Sequence, residues 1–204
     1  SDVTKASKLS ENDDICFQGV GKVGAFDIED ELAISMLSAP LNSNDRPNSD
    51  VIRPWINATD ITQRPRNIWI IDFGADISLE EASLYEKPFE YVERHVKPTR
   101  EKVRMKRRRE YWWIHGSAAK TMREAIDKLS QRYIATPKVS KHRIFVWMPK
   151  KVLSSNLVIA IARDDDYFFG VLHSKVHEIW ARSTGSQLRE MESGFTYTPS
   201  RCFK

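Results

Sequence analysis

The sequence of 204 residues contains only two cysteines and has no long apolar segment. Cys16 and Cys202 lie near opposite ends, and neither has a second cysteine nearby that could help to hold a metal ion. They could pair, but the simpler prediction is two free thiols in the reducing cytoplasm. No apolar run approaches the roughly 20 residues of a membrane-spanning helix. The polar start of the chain also lacks the apolar centre of a signal peptide, so no membrane contact is expected.

The sequence also lacks recognisable catalytic motifs. The glycines between residues 19 and 24 have the wrong spacing for a nucleotide-binding loop, and no order of Ser, His and Asp suggests a triad. His173 and His177 have the i, i+4 spacing of a metal-binding helix, but the glutamate of a zinc protease helix is missing between them. The acids Asp164, Asp165 and Asp166 resemble a cation site, although a helix cap explains them more simply. We therefore predict no catalytic residue and no metal ligand.

What is present indicates a folded protein of one large or two small domains, because 41% of the residues are hydrophobic and 29% are charged. Strands are predicted at 15–20, 69–73, 111–115, 132–139, 143–148 and 157–162. Helices are predicted at 27–37, from Pro54, at 78–96, 99–110, 117–129 and 165–182. The wholly apolar stretch 157–162 predicts a central strand that is buried on both faces. The fold class is therefore α/β, in the α+β sense, with a mixed β-sheet, flanking helices and a helical segment near residues 78–110.

The helical segment carries the clearest local signals. Ser78 and Glu81 form a capping box, in which each side chain accepts a hydrogen bond from the other residue's backbone N–H. Pro88 predicts a kink, and Pro98 predicts a break before a second helix that Thr99 would cap.

Residues 1–13 are polar and are predicted to be flexible, whereas residues 14–204 are predicted to form the functional domain. The chain begins without Met and stops without an obvious terminal element. We therefore expect it to be a piece of a larger protein.

Positive charge is concentrated between Arg94 and Arg109, which we call the basic segment. Nine of its sixteen residues are Lys or Arg and one is acidic, so it carries +8 while the whole chain carries +4. Such a local field favours a polyanionic partner, although a solvated helix face is the alternative. The guanidinium group also donates two parallel hydrogen bonds to an oxyanion. Phosphate contacts are predicted for Arg100, Lys102, Arg104, Lys106, Arg107, Arg108 and Arg109, with Arg100, Arg104 and Arg107 or Arg108 on one helix face.

Two other features could contact nucleic-acid bases. Trp112 and Trp113 lie in the predicted strand after the basic segment, and one of them could stack on a base, although burial in the core is the favoured interpretation. Residues 138–143 join two predicted strands, and every side chain among them except Val139 can form hydrogen bonds. Such groups can reach base edges, although an ordinary polar turn is the alternative. Base contacts are predicted for Lys138, Ser140, Lys141, His142 and Arg143.

Six strings occur in an order that is similar to a known family. They are 48–55 (NSDVIRPW), 69–74 (WIIDFG), 85–92 (YEKPFEYV), 133–140 (YIATPKVS), 166–174 (DYFFGVLHS) and 197–203 (YTPSRCF). From about residue 15 onward the chain resembles the target-recognition domain of large MmeI-like adenine-N6 DNA methyltransferases, which include bifunctional restriction–modification enzymes.

In that family a methyltransferase domain precedes this region. It holds S-adenosylmethionine and an Asn-Pro-Pro-Tyr-type motif, and neither has a counterpart in this sequence. The resemblance therefore implies that this chain holds no cofactor, that the parent enzyme uses S-adenosylmethionine, and that Mg²⁺ is needed only if the parent carries a nuclease domain.

The resemblance implies a cytoplasmic module for sequence-specific recognition of double-stranded DNA, with the methyltransferase domain of the same polypeptide as a second partner. It places Lys141, His142 and Arg143 among the base-reading residues. Two alternatives remain: a basic scaffold that binds nucleic acid or protein without sequence specificity, and a complete small nuclease that uses Asp164, Asp165 and Asp166.

Overall fold

The computed structural model of the chain describes residues 9–187 and 194–203. The chain divides into two compact units: unit 1 contains residues 1–19, 56–65 and 120–204, and unit 2 contains residues 20–55 and 66–119. Part of the predicted flexible segment, residues 1–8, lies outside the described residues. Its later part forms a 3₁₀ turn at Ser10–Asn12, where the Asn12 side-chain amide donates a hydrogen bond to the Phe203 carbonyl at 2.8 Å.

The described residues form both strands and helices. The strands are β1 (Cys16–Gln18), β2 (Asp27–Ile28), β3 (Ile52–Ile56), β4 (Ile68–Ile71), β5 (Arg132–Pro137), β6 (Val139–Ser140), β7 (Val146–Pro149), β8 (Leu153–Ser154), β9 (Val158–Ile161), β10 (Ser186–Gln187) and β11 (Phe195–Thr196). The helices are α1 (Asp30–Leu37), α2 (Ala58–Thr62), α3 (Leu79–Ser83), α4 (Glu86–His95), α5 (Lys97–Glu101), α6 (Lys106–Glu110), α7 (Lys120–Asp127), α8 (Asp166–Leu172) and α9 (Lys175–Thr184). The predicted α/β class is confirmed. No helix in the described part of the chain is both long and apolar enough to cross a membrane.

Unit 1 is built on a sheet with the strand order β1-β9-β5-β7, in which each neighbouring pair is antiparallel. All four residues of β9 are buried, which confirms the central strand predicted from the apolar stretch. The core contains Ile134, Ile159 and Ile161 from the two middle strands. Cys16 and Cys202 are buried in the same core as free thiols, in agreement with the prediction.

A second, smaller sheet in unit 1 has the order β10-β11-β6. Its central strand pairs with β6 in antiparallel register, so that Phe195 faces Ser140 and Thr196 faces Val139. Gly194 precedes β11 with a φ of 90°, a backbone conformation that favours glycine. This sheet therefore supports residues 138–143 from the C-terminal part of the chain.

In unit 2, β4 lies between β2 and β3 and pairs antiparallel with both. Pro54 lies within β3, opposite Trp69, so the helix predicted to start at Pro54 is wrong. The strand forms because it buries Ile52 and Trp55. The helix that follows, α2, begins at Ala58 in unit 1 after an N-cap.

The helical segment of unit 2 begins as predicted but breaks elsewhere. The capping box is present, with the Glu81 N–H donating to Ser78 Oγ and the Ser78 N–H donating to Glu81 Oε2, both at 3.1 Å. The chain breaks between α3 and α4, so Pro88 lies in the first turn of α4, where its missing N–H is not needed. The predicted break near Pro98 is confirmed, because α4 ends at His95 and α5 begins at Lys97.

Two predictions after Pro98 are wrong. A single helix over 99–110 is replaced by α5 and α6, which are separated by residues 102–105. The predicted strand at 111–115 is a turn, and both Trp112 and Trp113 are buried, as the favoured interpretation of the two tryptophans expected. The Trp113 indole N–H donates to the Ile77 carbonyl at 3.1 Å, so this ring is part of the interior of unit 2.

The predicted helix 165–182 is also divided. Asp165 caps α8 by accepting a hydrogen bond from the Phe168 N–H at 2.8 Å, which confirms the expected cap. Ser174 caps a separate helix, α9, and this new start changes which side chains face inward. Val176 and Ile179, predicted to be internal, are 78% and 55% exposed.

Candidate nucleic-acid interface

The basic segment lies in unit 2 and begins near the end of α4, and its central arginine is not at the surface. Arg100 is 1% exposed, and its Nη2 donates to the carbonyls of Lys22 and Ile114, both at 3.0 Å. Burial, together with the positive charge of Arg108, lowers the pKa of Arg100 to about 10. The predicted phosphate contact of Arg100 is therefore corrected: its guanidinium group holds two chain segments together.

One more arginine of this segment has hydrogen-bond partners within unit 2, and another is half-buried. The Arg109 side chain is exposed, but its Nη1 donates to the carbonyls of Val103 and Arg104 at 2.8 and 3.0 Å. It thereby closes the turn between α5 and α6. Arg108 is half-buried, and a Cβ added at Gly116 would lie 3.2 Å from its Nε. Both residues are thus less available to a phosphate than the sequence pattern predicts.

Of the seven residues predicted to contact phosphate, all within the described part of the chain, four have exposed side chains and no hydrogen bond to a backbone carbonyl. They are Lys102, Arg104, Lys106 and Arg107. Lys106 lies 3.5 Å from Glu110, but both side chains are exposed to water, which weakens such a pair. We call these four residues the exposed cations. The predicted common face of one helix does not exist, because residues 102–105 separate α5 from α6.

The 138–143 loop lies in unit 1, where it connects β5 to the strand β7 through β6. Lys141 and His142 are exposed at its end, whereas Lys138 and Ser140 are half-buried. The Ser140 hydroxyl donates to the His142 carbonyl, so it stabilises the turn. The loop therefore presents two polar side chains, Lys141 and His142, most fully to solvent.

Arg143 follows these two residues but turns back into unit 1. Its Nη1 donates to the Pro137 carbonyl and, at 3.1 Å, to Thr136 Oγ1, while its Nη2 donates to the Phe195 carbonyl at 3.2 Å. The guanidinium carbon also lies 4.6 Å from the ring centre of Phe195 and 5.0 Å from that of Tyr197. Both terminal nitrogens of Arg143 therefore donate hydrogen bonds inside the protein, and its half-buried side chain is less available to a base than the sequence pattern predicts.

Titratable groups surround the inner side of Arg143. The His177 Nε2 lies 3.0 Å from the Tyr197 hydroxyl. Burial, together with the positive charges of Arg143 and His173, lowers the pKa of His177 to about 4. Burial also lowers the pKa of Arg143 to about 10 and raises that of Tyr197 well above its usual value. At neutral pH, Arg143 is therefore the charged member of this group, and His177 and Tyr197 are neutral.

The acids considered for a nuclease have structural partners. Asp164 accepts hydrogen bonds from the Ser130 N–H and hydroxyl at 3.2 and 3.0 Å. Asp166 pairs with Arg132 at 2.7 Å, and Asp165 caps α8. Among residues 9–187 and 194–203, no group of three or more acids, histidines or cysteines could hold a metal ion.

The structure gathers the predicted residues into two sets in different units: the exposed cations in unit 2 and the 138–143 loop in unit 1. The sequence pattern misses the residues that support the loop, namely Gly194, Phe195 and Tyr197. They lie about fifty residues further along the chain, and no local periodicity links them to the loop. The glycine was the one available signal, since an isolated glycine beside a strand often marks a close backbone approach.

Comparison with known proteins gives the family context. The model of the family described as "MmeI, target recognition domain" matches residues 28–203. A chain from the solved structure of the Type IIL restriction-modification enzyme MmeI in complex with DNA is similar in fold, with a TM-score of 0.66 and 20% sequence identity. That match covers 97% of the present chain and 24% of the MmeI chain. The search of curated proteins returned no match.

Proposed function

The chain belongs to the MmeI target recognition domain family, and from that premise we propose that it recognises a specific sequence in double-stranded DNA for a restriction–modification enzyme. The observation that carries the proposal is the family match over residues 28–203. The chain spans about a quarter of the MmeI chain that it resembles, with 24% covered. The catalytic steps are therefore assigned to other parts of a longer parent enzyme.

The exposed cations of unit 2 supply the contacts to phosphate. Phosphate contacts hold a protein in register on the duplex but carry no sequence information directly. Lys102, Arg104, Lys106 and Arg107 suit this role because water-exposed side chains can follow the DNA backbone without breaking internal hydrogen bonds. Their contribution decreases with salt, since each neutralised phosphate releases condensed counterions.

The 138–143 loop supplies the contacts to bases. Lys141 and His142 are its exposed polar side chains. Lys138 and Ser140 are half-buried and lie next to them, at or beside the edge strand β6 of the β10-β11-β6 sheet. Lysine donates hydrogen bonds to the acceptors that guanine presents in the major groove, and a ring nitrogen of histidine can donate or accept. Sequence preference should therefore depend on this loop more than on the basic segment.

The parent enzyme is proposed to be a cytoplasmic adenine-N6 DNA methyltransferase. Its methyltransferase domain, in the same polypeptide, would bind S-adenosylmethionine and receive an adenine flipped out of the duplex, because the amino group is not accessible to the chemistry inside the base stack. Mg²⁺ would be required only if the parent also carries a nuclease domain. The role of this chain is to select the site, and no residue in it is assigned to catalysis.

The proposal is tested by incubating the 204-residue chain with a pool of randomised DNA duplexes and sequencing those that remain bound. We expect enrichment of one short sequence, and a weaker affinity for it as salt is raised. Binding without enrichment would instead favour the non-specific scaffold. Mg²⁺-dependent cleavage of the duplexes by the same chain would favour the nuclease that uses Asp164, Asp165 and Asp166.

A further inference from the structure

Arg143 closes the base of the 138–143 loop from the inside. Thr136 and Pro137 precede the loop, and both accept hydrogen bonds from the Arg143 guanidinium group, which follows it. The Arg143 side chain therefore links the two ends of the loop, and the five residues 138–142 lie between the linked positions. The Thr136 hydroxyl adds a second closure by donating to the Ile144 carbonyl at 2.7 Å.

The same guanidinium group fixes this loop to the small sheet. Its Nη2 donates to the Phe195 carbonyl at 3.2 Å, and Phe195 is the residue of β11 that faces Ser140. On the inner side, the Phe195 and Tyr197 rings lie against the guanidinium group, and Tyr197 is fully buried. One rigid cation thus joins the start of the loop, its end and the neighbouring strand.

A close backbone approach completes the support. A Cβ added at Gly194 would lie 2.4 Å from the Ser140 carbonyl carbon and 2.6 Å from the Lys141 backbone nitrogen. The backbone at Gly194 therefore lies directly against the part of the loop that carries Lys141. Because the side chains of Lys141 and His142 are exposed, their positions depend on how well the loop backbone is supported.

We infer that Arg143 is the positioning residue of the 138–143 loop: it holds Lys141 and His142 in the geometry that reads bases, and it does not read a base itself. This inference rests on the proposed function of the chain in DNA recognition. A positioning role and a direct base contact predict different effects of substituting Arg143. Loss of a base-reading side chain affects one base pair, whereas loss of a positioning residue affects every base pair that the loop contacts.

The first test measures the loop without DNA. Amide hydrogen exchange is compared between the 204-residue chain and its Arg143→Lys variant, because lysine keeps the charge but cannot span three acceptors with a planar fork. We expect peptides covering residues 138–143 to exchange about tenfold faster in the variant, while peptides covering β9 remain unchanged. Equal exchange at the loop would overturn the role of Arg143 as its closure.

The second test measures recognition. Affinities for the duplex enriched by the wild-type chain, for its single-base-pair variants and for a scrambled duplex are compared among the wild type, Arg143→Lys and Lys141→Ala. We expect Arg143→Lys to lower the preference for the enriched duplex about tenfold, spread over all base pairs that the loop contacts, with affinity for the scrambled duplex nearly unchanged. Lys141→Ala should lower the sequence preference at one base pair only. A one-base-pair effect for Arg143→Lys would show a direct base contact and overturn the inference.

If the Arg143 variants do not fold, Gly194→Ala tests whether displacing the loop backbone reduces the sequence preference. Its Cβ must displace the loop backbone, so we expect the same loss of preference spread over several base pairs. Unchanged preference in a folded Gly194→Ala chain would argue against positioning by this support. A wild-type chain without any sequence preference would overturn the proposed function and the recognition role together, whereas the exchange experiment would still decide whether Arg143 closes the loop.

Discussion

The basic segment of unit 2 and the 138–143 loop of unit 1 both contain an arginine whose terminal Nη atoms donate hydrogen bonds inside the protein. Arg100 and Arg143 each donate to backbone carbonyls, and burial lowers the pKa of each to about 10. In both regions other cations, such as Arg107 and Lys141, remain exposed. A cluster of positive residues in a sequence therefore contains two kinds of side chain. Some donate hydrogen bonds to the protein's own backbone, and others are exposed and can bind a partner.

The two regions differ in what the arginine holds together: Arg100 is buried, whereas Arg143 is half-buried. Arg100 joins Lys22 and Ile114, which are distant in sequence, and so stabilises the interior of unit 2. Arg143 joins residues immediately before its own loop to a neighbouring strand, and so stabilises a local surface feature. Loss of Arg100 should therefore lower the free energy of unfolding, whereas loss of Arg143 should chiefly make the conformation of the 138–143 loop less ordered.

The largest expected effect is on folding. Arg100→Ala should lower the free energy of unfolding by about 4 kcal/mol, because two buried carbonyls lose their donor and each unsatisfied group costs about 1–3 kcal/mol. Urea denaturation of the 204-residue chain measures this change. Arg104→Ala, which removes an exposed arginine nearby, is the matched control and should change stability by less than about 0.5 kcal/mol. Equal effects of the two substitutions would remove the distinction between buried and exposed arginines.

The next effect concerns affinity. Replacing the exposed cations Lys102, Arg104, Lys106 and Arg107 together with alanine should weaken binding to any duplex about a hundredfold at low salt. The slope of log affinity against log salt should become less steep by about 3–4, because four phosphates are no longer neutralised. Fluorescence anisotropy with labelled duplexes measures both quantities.

The control for this prediction removes the same number of exposed positive charges outside the basic segment, at Arg64, Lys87, Lys128 and Lys175. If the control weakens binding as strongly, net charge explains the affinity and the basic segment has no special role. The preference for the enriched duplex should remain in the quadruple variant, because it depends on unit 1.

A smaller effect depends on pH and distinguishes the surroundings of the two arginines. The pKa of His177, beside Arg143, is lowered from 6.5 to about 4, so the unfolded chain takes up this proton at a higher pH than the folded chain does. The stabilising effect of a neutral His177 is present above pH 6.5 and is lost as pH falls toward 4, by about 2 kcal/mol. His177→Gln keeps a hydrogen-bonding partner for Tyr197 and should remove this part of the pH dependence. Identical urea midpoints against pH for the two chains would contradict the prediction.

The smallest expected effect is at the end of the 138–143 loop. Lys141→Ala should lower affinity for the enriched duplex about tenfold and leave affinity for a scrambled duplex almost unchanged. Anisotropy titrations with the two duplexes measure the ratio. An equal loss for both would assign Lys141 to phosphate contact and would make the loop resemble the basic segment.

Local features of the fold could be predicted because their causes lie within a few residues. The apolar stretch that forms β9, the Ser78–Glu81 capping box and a helix cap within the acids 164–166 were all predicted correctly. The errors occurred where packing decided between local alternatives. Pro54 entered a strand, and Ser174 began a new helix that left Val176 exposed.

The candidate site shows the same division. The sequence alone determined where positive charge is concentrated and which loop between two strands is rich in hydrogen-bonding side chains, because both are properties of neighbouring residues. Only the tertiary structure decided which of these side chains face solvent. The carbonyl of Lys22 lies 78 residues from Arg100, and that of Phe195 lies 52 residues from Arg143. A buried arginine needs acceptors that replace water, and those acceptors come together only when distant parts of the chain fold against one another.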